Sequence, residues 1–470
     1  MRKTLIASAI GAAVALSACS KPAEEAKTTA AVEQTQAAAP ATEQAAVSNP
    51  LLVKSTLQYE APEFDKIKVE HYQPAMEEGI KQHMAEILTI AENKEPATFD
   101  NTIVAMEKSG ELLTRASTTF FNMTGTISND EILKIQSEMA PKFAAHSDNI
   151  NLNPQLFARV KAVYDARATL GLDGEATRLV EDYYERFVRA GANLTEEQKT
   201  KIRALNEEQS TLTNKYQQNL MAMKDQIAVY VDTKEELAGL SEAEITAAAE
   251  GAKAKGKEGK FIIEITNTTR QPALASLENR EVRKKVWEAS AYRGTTGETD
   301  NQPIVARLAQ LRAERAKLLG YDNWAAYQLE PTMAKTPKAV LDMFASMVPA
   351  VVENTKKEAE AIQAMIKETG GDFELQPWDW EFYGEKVRKA KYDLDEAEVR
   401  QYFEFERVLT DGMFYTMNKL FGITMKARPD LPVYHPDVKA YEVFDADGTS
   451  IAIFYADYFA RDGKRGGAWM

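Results

Sequence analysis

Apolar residues recur at a helical period through most of the chain, from residue 57 to residue 422. In the segment Thr195–Ile227 they return every three or four positions, and Thr195 with Gln198 forms a capping box ahead of them. Ser241 and Glu244 form a second capping box. Helix starts of this kind, followed by a helical repeat of apolar residues, predict a mostly α-helical protein.

The longest predicted helix begins at Thr336 and Pro337, where a hydroxyl side chain can cap the helix and proline occupies the first helical position. Pro349 should bend this helix, unless the residues before it form a separate turn. Phe261–Ile265 breaks the helical pattern, because a run of apolar and β-branched residues between turn residues predicts a short strand. The apolar stripe of the long helix consists of Val340, Phe344, Met347 and Val351.

After residue 421 the pattern changes to short alternating segments. Tyr441–Phe444 and Ile451–Tyr455 flank Asp445–Gly448, and a turn rich in Asp and Gly between two apolar runs predicts a β-hairpin. A calcium-binding loop is excluded there, because that loop needs Gly at its sixth position and Glu at its twelfth. The predicted fold class is mostly α, with a small β-hairpin region near the C-terminus.

The first 18 residues have the composition of a targeting segment rather than of a folded element. Two basic residues precede the apolar run Leu5–Leu16, which is shorter than the roughly 20 residues that span a bilayer. Leu16–Cys19 resembles the lipobox of bacterial lipoproteins, in which the cysteine is acylated. We therefore expect a lipoprotein signal peptide at residues 1–18 and lipidation of Cys19. The alternative is an ordinary cleaved signal peptide that happens to contain a cysteine.

Residues 19–48 are rich in Ala, Thr, Glu, Gln and Pro and predict a disordered tether, because they offer almost no large apolar side chain to a core. Ser20 follows Cys19, as in lipoproteins that Gram-negative bacteria sort to the outer membrane. Cys19 is the one cysteine of the sequence, and its lipidation would leave the mature chain without thiols, which suits an oxidising periplasm. We expect a periplasmic protein anchored to the outer membrane through Cys19.

Charge and motifs exclude several functions. The formal net charge of −14 argues against nucleic-acid binding, which needs a basic face against the phosphates. The sequence contains no Gly-x-Ser-x-Gly motif, no glycine-rich phosphate loop and no dinucleotide-binding fingerprint. None of its four histidines begins a His-Glu-x-x-His motif, so neither a metal ligand nor a catalytic residue is assigned. His83 with Glu86 is predicted to be a surface pair, and His435 a loop residue with a structural role.

Two local clusters offer candidate contacts. Trp378–Trp380 is a dense aromatic cluster that packing between helices explains best. In the run 463–468, paired glycines leave backbone groups accessible, and two basic side chains are able to bind a carboxylate. An exposed turn that ends the hairpin is an equally good interpretation of this run. The candidate substrate-binding residues are Lys464, Arg465, Gly466, Gly467 and Ala468.

Six blocks of the chain carry a resemblance to known proteins: Leu311–Tyr321, Asn323–Tyr327, Met333–Pro337, Trp378–Tyr383, Pro432–Val438 and Gly466–Met470. They resemble zinc metallopeptidases of the thimet-oligopeptidase family, M3. The resemblance extends over nearly all of the sequence after the tether. Its later blocks resemble the peptidyl-dipeptidase branch of that family in particular.

The resemblance implies a mostly helical, two-lobed ellipsoid with a deep channel that admits only short peptides. In the family, two histidines of a His-Glu-x-x-His motif and a downstream Glu hold one zinc ion. The motif's Glu activates a water molecule for attack on the scissile carbonyl. Residues 421–470 resemble the stretch that precedes this motif, and the motif is not in the sequence. We therefore expect this chain to bind no zinc, and we carry over the fold and the substrate class, short peptides, but no catalytic residue.

On this interpretation residues 49–422 form the helical N-terminal lobe, and residues 423–470 begin an incomplete catalytic region. The favoured hypothesis is the front portion of a lipid-anchored, monomeric peptidyl-dipeptidase, which releases C-terminal dipeptides from short peptides. By itself this portion should be inactive and should expose apolar surface between Phe403 and Met470. One alternative is a non-catalytic lipid-anchored protein that binds peptides or acts as a scaffold. Another is a cytosolic oligopeptidase with a misread start, which the lipobox and the tether disfavour.

Overall fold

The structure is a computed structural model that describes residues 49–224, 226–266, 268–393 and 396–467. The predicted signal peptide, Cys19, the tether and Ala468 lie outside these residues. Within the described ranges helices predominate and the strands are short, so the prediction of a mostly α fold is confirmed.

Helices run in succession through the chain, and short strands interrupt them at two places. The α-helices longer than one turn are α1 (Val69–Ala91), α2 (Glu111–Thr126), α3 (Asp130–Asn151), α4 (Pro154–Ala166), α5 (Gly174–Ala190), α6 (Glu196–Ala222), α7 (Glu242–Ala254), α8 (Arg270–Ser276), α9 (Arg280–Ala291), α10 (Gln302–Leu318), α11 (Trp324–Leu329), α12 (Pro337–Glu368), α13 (Trp380–Tyr392), α14 (Glu396–Arg400) and α15 (Tyr415–Phe421). The strands are β1 (Val229–Val231), β2 (Phe261–Ile263), β3 (Thr424–Ala427), β4 (Lys439–Phe444) and β5 (Ser450–Ala456). Single α-turns lie at Ala105–Glu107 and Phe405–Arg407, π-helical turns at Phe99–Val104 and Val408–Phe414, and 3₁₀ turns at Pro50–Leu52, Gln58–Glu60, Arg167–Thr169, Glu235–Leu237, Gly297–Thr299 and Pro377–Asp379.

The described chain forms two compact units. The first unit contains residues 49–215, 317–320 and 423–464, and the second contains residues 216–316, 321–422 and 465–467. One boundary falls between residues 422 and 423, and two others fall within helices α6 and α10. The predicted division into a helical lobe and the start of a catalytic region stays a prediction.

The first unit is built on helix α1, which packs against α2, α3 and α4. Close approach of α1 to α2 depends on Gly79, because a Cβ atom there would lie 2.7 Å from the Cα of Leu113. Toward the N-terminal end of α1 the core includes Met76, Phe120 and Met139. Toward its C-terminal end the core is formed by Ile87, Ile103, Leu156, Val160, Phe187 and their neighbours.

A three-stranded antiparallel sheet, in the order β3-β4-β5, belongs to the first unit. The predicted hairpin is confirmed as β4 and β5, with Tyr441 opposite Phe454. Its turn is closed by hydrogen bonds within Asp445–Thr449, and Gly448 adopts a φ of 83°, a left-handed conformation that suits glycine. Strand β3 extends the predicted hairpin on one side, pairing with β4.

The second unit contains the other strand pair, in which β1 is antiparallel to β2. The strand predicted at Phe261–Ile265 is confirmed over its first three residues, Phe261–Ile263. Helix α12 begins at Pro337 as predicted, because the hydroxyl of Thr336 accepts a hydrogen bond from the amide of Ala339. The helix continues through Pro349, so the separate turn that was the alternative does not occur.

The apolar stripe of α12 is buried only toward its C-terminal end. Ile362 and Ile366 pack with Phe382 and Tyr383 of α13 in a small core. The predicted stripe residues Phe344, Met347 and Val351 are instead exposed, as is Leu341. The predicted exposure after residue 403 is confirmed at Phe403, Tyr415, Leu420 and Phe421. Within the described residues, no helix has both the length and the apolar character needed to cross a membrane.

Candidate functional site

Lys464, the first predicted substrate-binding residue, is hydrogen-bonded within its own segment. Its Nζ lies 2.9 Å from Asp457 Oδ1, 3.0 Å from the carbonyl oxygen of Asp457 and 2.8 Å from that of Phe459. An ammonium group has three hydrogens to donate, so these contacts use its full capacity. In this arrangement the carboxylate that Lys464 meets is that of its own chain.

Asp457 is the centre of this cluster. Arg461 donates two hydrogen bonds to its carboxylate, at 2.8 and 2.7 Å, and the hydroxyl of Tyr434 donates a third at 2.9 Å. Burial alone would raise the pKa of the Asp457 carboxyl, but the hydrogen bonds from Arg461, Lys464 and Tyr434 outweigh it and hold that pKa below its usual range. Asp457 is therefore ionised, and the cluster is a compact set of satisfied charges.

The same cluster attaches the C-terminal segment to the turn between α2 and α3. Nε of Arg461 donates to the carbonyl of Thr126 at 3.1 Å, and the amide of Ser128 donates to the carbonyl of Gly463 at 2.9 Å. Gly463 has a φ of 74° and lies so close to the backbone of Ser128 that a Cβ atom would clash. The segment that carries the predicted site is thus held by both ionic and backbone contacts.

A second polar network holds the sheet of the first unit. Gln58 donates to Glu442 at 2.6 Å and to Ser450 at 2.9 Å, and it accepts from Arg428 at 2.7 Å. Arg428 also forms an ion pair of 2.8 Å with Glu442. These contacts join the turn at Gln58–Glu60 to strands β4 and β5, so the early residues of the first unit help to position the later ones.

The remaining predicted contacts lie in the second unit or outside the described residues. Arg465, Gly466 and Gly467 are exposed, and Gly467 adopts a φ of 111° that suits glycine. Ala468 lies outside the described residues. Contact of Lys464, Arg465, Gly466, Gly467 and Ala468 with a substrate stays a prediction.

The described residues do not fit a zinc centre. Among them, no three His, Cys, Asp or Glu side chains come together in a group able to hold a metal ion. The Nδ1 atom of His71 accepts a hydrogen bond from the amide of Lys68, and that of His435 accepts one from the amide of Asp437. No catalytic step is therefore derived through a metal at these residues.

The prediction that His83 forms a surface pair with Glu86 is wrong. His83 is partly buried, and its Nδ1 lies 2.9 Å from Nε2 of the buried His146, while its Nε2 lies 3.2 Å from Ser109 Oγ. Glu86 accepts a hydrogen bond from the amide of Gly110 instead. Burial lowers the pKa of His146 to about 4 and also lowers that of His83. The sequence held no sign of this pair, because 63 residues separate its members.

The aromatic cluster Trp378–Trp380 packs between helices, as predicted, but it also surrounds a buried charge. Asp379 has no exposed surface and forms ion pairs with Arg280 at 2.8 Å and Arg283 at 3.2 Å. Trp378 contacts Trp287 edge to face, with ring centroids 6.1 Å apart. The two arginines were not predicted, since they belong to helix α9, far from Asp379 in sequence.

A cavity of about 450 Å³ lies beside this cluster in the second unit. Helix α8 contributes Arg270 and Leu274, and helix α9 contributes Trp287. Trp380 and Glu381 of helix α13 complete its polar and aromatic lining, together with the segment Leu375–Pro377. The cavity thus combines apolar walls with one cationic and one anionic side chain.

Comparison with known proteins gives consistent results. Residues 273–470 match the family described as Peptidase family M3. The Dipeptidyl carboxypeptidase of Escherichia coli (strain K12) is 47% identical over 423 residues, which are 90% of this chain and 62% of that protein. The Dipeptidyl carboxypeptidase of Salmonella typhimurium is 46% identical over 424 residues, with the same two shares. The Oligopeptidase A of Salmonella typhimurium is 27% identical over 429 residues, again with those shares.

The chain therefore spans 62% of the length of these relatives. Residues 273–470 are thus similar to peptidase family M3, and most of the chain is similar to part of these relatives.

Proposed function

We propose that this chain is part of a zinc metallopeptidase of the peptidyl-dipeptidase type, which releases C-terminal dipeptides from short peptides. The observation that carries the proposal is the 47% identity to a dipeptidyl carboxypeptidase over 90% of the chain. Identity to oligopeptidase A over a similar length is 27%. The higher identity to dipeptidyl carboxypeptidase favours the peptidyl-dipeptidase branch over the oligopeptidase branch.

In this proposal the described residues supply structure and peptide contacts rather than the hydrolytic centre. The Asp457 cluster holds residues 457–464 against the first unit. The exposed backbone of Gly466 and Gly467, with Arg465 and Ala468, is proposed to bind the peptide. Zinc ligands are proposed to come from sequence other than these 470 residues, because they contain no His-Glu-x-x-His motif.

A chimaera tests the proposal. Residues 49–470 of this chain are fused to the part of the Escherichia coli dipeptidyl carboxypeptidase that follows its aligned region. N-blocked tetrapeptides serve as substrates, and mass spectrometry identifies the products. We expect zinc-dependent release of the C-terminal dipeptide by the chimaera and no release by residues 49–470 alone.

Release of single amino acids, or cleavage after the first residue of the tetrapeptide, by a folded chimaera would overturn the proposed specificity. Zinc-dependent cleavage by residues 49–470 alone would overturn the proposed division of roles. A chimaera in which the His-Glu-x-x-His glutamate is replaced by glutamine is the matched control, because it keeps the fold and loses the general base.

A second candidate function is peptide binding without cleavage by a lipid-anchored scaffold protein. The observation that favours it is the lack of a three-ligand metal site among the described residues. Equilibrium dialysis of the 470-residue chain with the same tetrapeptides separates the two functions. Tight binding with an inactive chimaera would favour the scaffold, whereas an active chimaera supports the peptidase.

We further propose that the protein acts as a monomer in the periplasm, attached to the outer membrane through lipidated Cys19. The sequence Leu16–Cys19 and the Ser20 that follows support this placement. Labelling with radioactive palmitate should mark the wild-type chain and not a Cys19→Ala variant. Recovery of the labelled chain in the inner membrane would contradict the proposed sorting, and a Ser20→Asp variant is the control for that location.

A further inference from the structure

The cavity beside the Asp379 cluster has the features of a ligand site. Its volume of about 450 Å³ lies within the range of roughly 300 to 1,000 Å³ that is usual for small-molecule sites. Two indole rings, Trp287 and Trp380, line it together with the apolar side chain of Leu274. The apolar group of a small ligand could therefore pack against these side chains.

The charged side chains that line the cavity have no ionic partner among the residues that the structure describes. Arg270 makes one side-chain hydrogen bond to the described residues, a long one of 3.4 Å to Ser290 Oγ, and no ion pair with them. Glu381 likewise has neither a hydrogen bond nor an ion pair to a described side chain. Arg280 and Arg283, on the neighbouring helix α9, are in contrast both paired with Asp379.

The walls that carry these two charges are held firmly. Arg283 donates to the carbonyls of Leu277, at 2.7 Å, and of Glu278, at 3.0 Å, as well as to Asp379. Helix α13, which carries Glu381, begins directly after Asp379 and packs on α8, which carries Arg270. The two open charges therefore lie on elements fixed by a buried ionic cluster, and preorganisation of this kind lowers the cost of binding.

We propose that this cavity binds a zwitterion with an apolar side chain, either a short peptide or a free amino acid. The guanidinium of Arg270 receives the ligand's carboxylate, the carboxylate of Glu381 receives its ammonium group, and the two indoles contact its side chain. The site is independent of the proposed peptidase function, since it involves neither zinc nor residues 464–468.

Intrinsic tryptophan fluorescence of the 470-residue chain tests the proposal. The probe is the dipeptide L-alanyl-L-phenylalanine, which is transparent when tryptophan is excited selectively. EDTA is present throughout, so that peptidase activity does not enter the measurement. We expect a saturable change in emission and at least about a tenfold loss of affinity for Arg270→Gln and for Glu381→Gln. The matched controls are Arg293→Gln and Glu250→Gln, exposed charges of the same unit that should bind as the wild type does.

Modified ligands test which charged side chain receives which end of the ligand. The C-terminal amide of the dipeptide should bind weakly to the wild type and lose nothing further in Arg270→Gln. The N-acetyl dipeptide should behave in the same way toward Glu381→Gln. Tighter binding of the dipeptide than of free phenylalanine identifies a peptide ligand, and the reverse order identifies an amino acid.

The proposal is overturned if the dipeptide shows no saturable binding up to about 10 mM, a concentration that detects even millimolar affinity. It is overturned equally if the blocked ligands bind the wild type as well as the free dipeptide does. Neither result would change the interpretation of the chimaera experiment, which measures zinc-dependent cleavage.

Discussion

Two acid-centred clusters, one in each unit, use the same chemistry in different surroundings. Asp457 in the first unit binds Arg461, Lys464 and Tyr434, and its side chain is 8% exposed. Asp379 in the second unit binds Arg280 and Arg283 and is 0% exposed. Both carboxylates are satisfied, and the cluster around Asp379 lies beside a cavity whose charged side chains have no ionic partner among the described residues.

The comparison shows how a charged cluster should be interpreted. Lys464 looked available for a substrate carboxylate in the sequence, yet its side chain is 11% exposed and paired with Asp457. The sequence did not single out Arg270 as a candidate binding residue. The structure places Arg270 in the lining of a cavity, where it has no ionic partner among the described residues. Satisfied charges stabilise a fold, whereas open charges in a cavity are available for a ligand.

The largest expected effect comes from Asp379→Asn. The change removes the anion that neutralises Arg283, whose side chain is 1% exposed. Removing one partner of a buried ion pair leaves the other charge uncompensated and typically lowers the unfolding free energy by about 3 to 5 kcal/mol. Urea unfolding followed by tryptophan fluorescence should show the loss, because Trp287, Trp324, Trp378 and Trp380 all belong to the second unit.

The control for that prediction is Glu385→Gln, which breaks a more exposed pair with Arg388 in the same unit. A pair of this kind contributes at most about 1 kcal/mol. Equal losses in the two variants would mean that burial does not distinguish the Asp379 cluster.

A smaller effect is expected for Asp457→Asn, because the Asp457 side chain is 8% exposed whereas that of Asp379 is 0% exposed. Asparagine can still accept a hydrogen bond from Arg461 or Lys464, so the net loss should be about 1.5 to 3 kcal/mol, the worth of one hydrogen bond to a charged group. Hydrogen exchange measured by mass spectrometry should show faster exchange at residues 457–464 and at the turn between α2 and α3.

Asp430→Asn serves as the matched control in the same unit, since Asp430 is mostly exposed in its pair with Arg428. Its cost should stay below about 1 kcal/mol. Unchanged exchange at residues 457–464 in Asp457→Asn would show that backbone contacts alone hold the segment.

The two clusters also show what a sequence is able to predict. Caps such as Thr195 with Gln198 and Thr336 before α12 were predicted because both partners lie within three residues. The pairing of Arg280 with Asp379 spans 99 residues, and its identification requires the relative placement of α9 and α13. The apolar stripe of α12 was recognised as a pattern, but the pattern does not say which part of it is covered.

For the candidate site, sequence resemblance pointed to the C-terminal segment but not to the state of its side chains. Whether Lys464 is open or paired depends on the path of residues 457–464, which no local propensity determines. The cavity was missed altogether, because its lining comes from three helices and a connecting segment separated along the chain.

A change of pH should separate the ionic clusters from the neutral pair formed by His83 and His146. The folded-state pKa of His146 is about 4, below its ordinary value of 6.5, because burial disfavours the charged ring. The unfolded chain therefore binds more protons below pH 6.5, and stability is full above that value and falls as the pH decreases. Between pH 7 and pH 5 the loss should be about 2 kcal/mol, since one pKa unit corresponds to about 1.4 kcal/mol.

Urea unfolding at a series of pH values measures how the unfolding free energy of the first unit changes with pH, which is the slope in question. The variant His146→Gln should flatten it. Asp457→Asn should retain it, because the pKa of Asp457 lies below its usual range and this carboxyl stays ionised at pH 5. If the pH dependence disappeared in Asp457→Asn, the acid sensitivity would come from the Asp457 cluster and not from the pair of His83 and His146.

The smallest effect on stability is expected for Arg270→Gln and Glu381→Gln. Neither side chain has an ionic partner among the described residues, so removing its charge leaves no opposite charge stranded. Surface substitutions of this kind usually change the unfolding free energy by no more than about 0.5 kcal/mol. Urea unfolding by tryptophan fluorescence, run beside Asp379→Asn, gives the contrast directly. A loss close to that of Asp379→Asn would mean that the cavity charges serve the fold, and the distinction between satisfied and open charges would then not hold for the second unit.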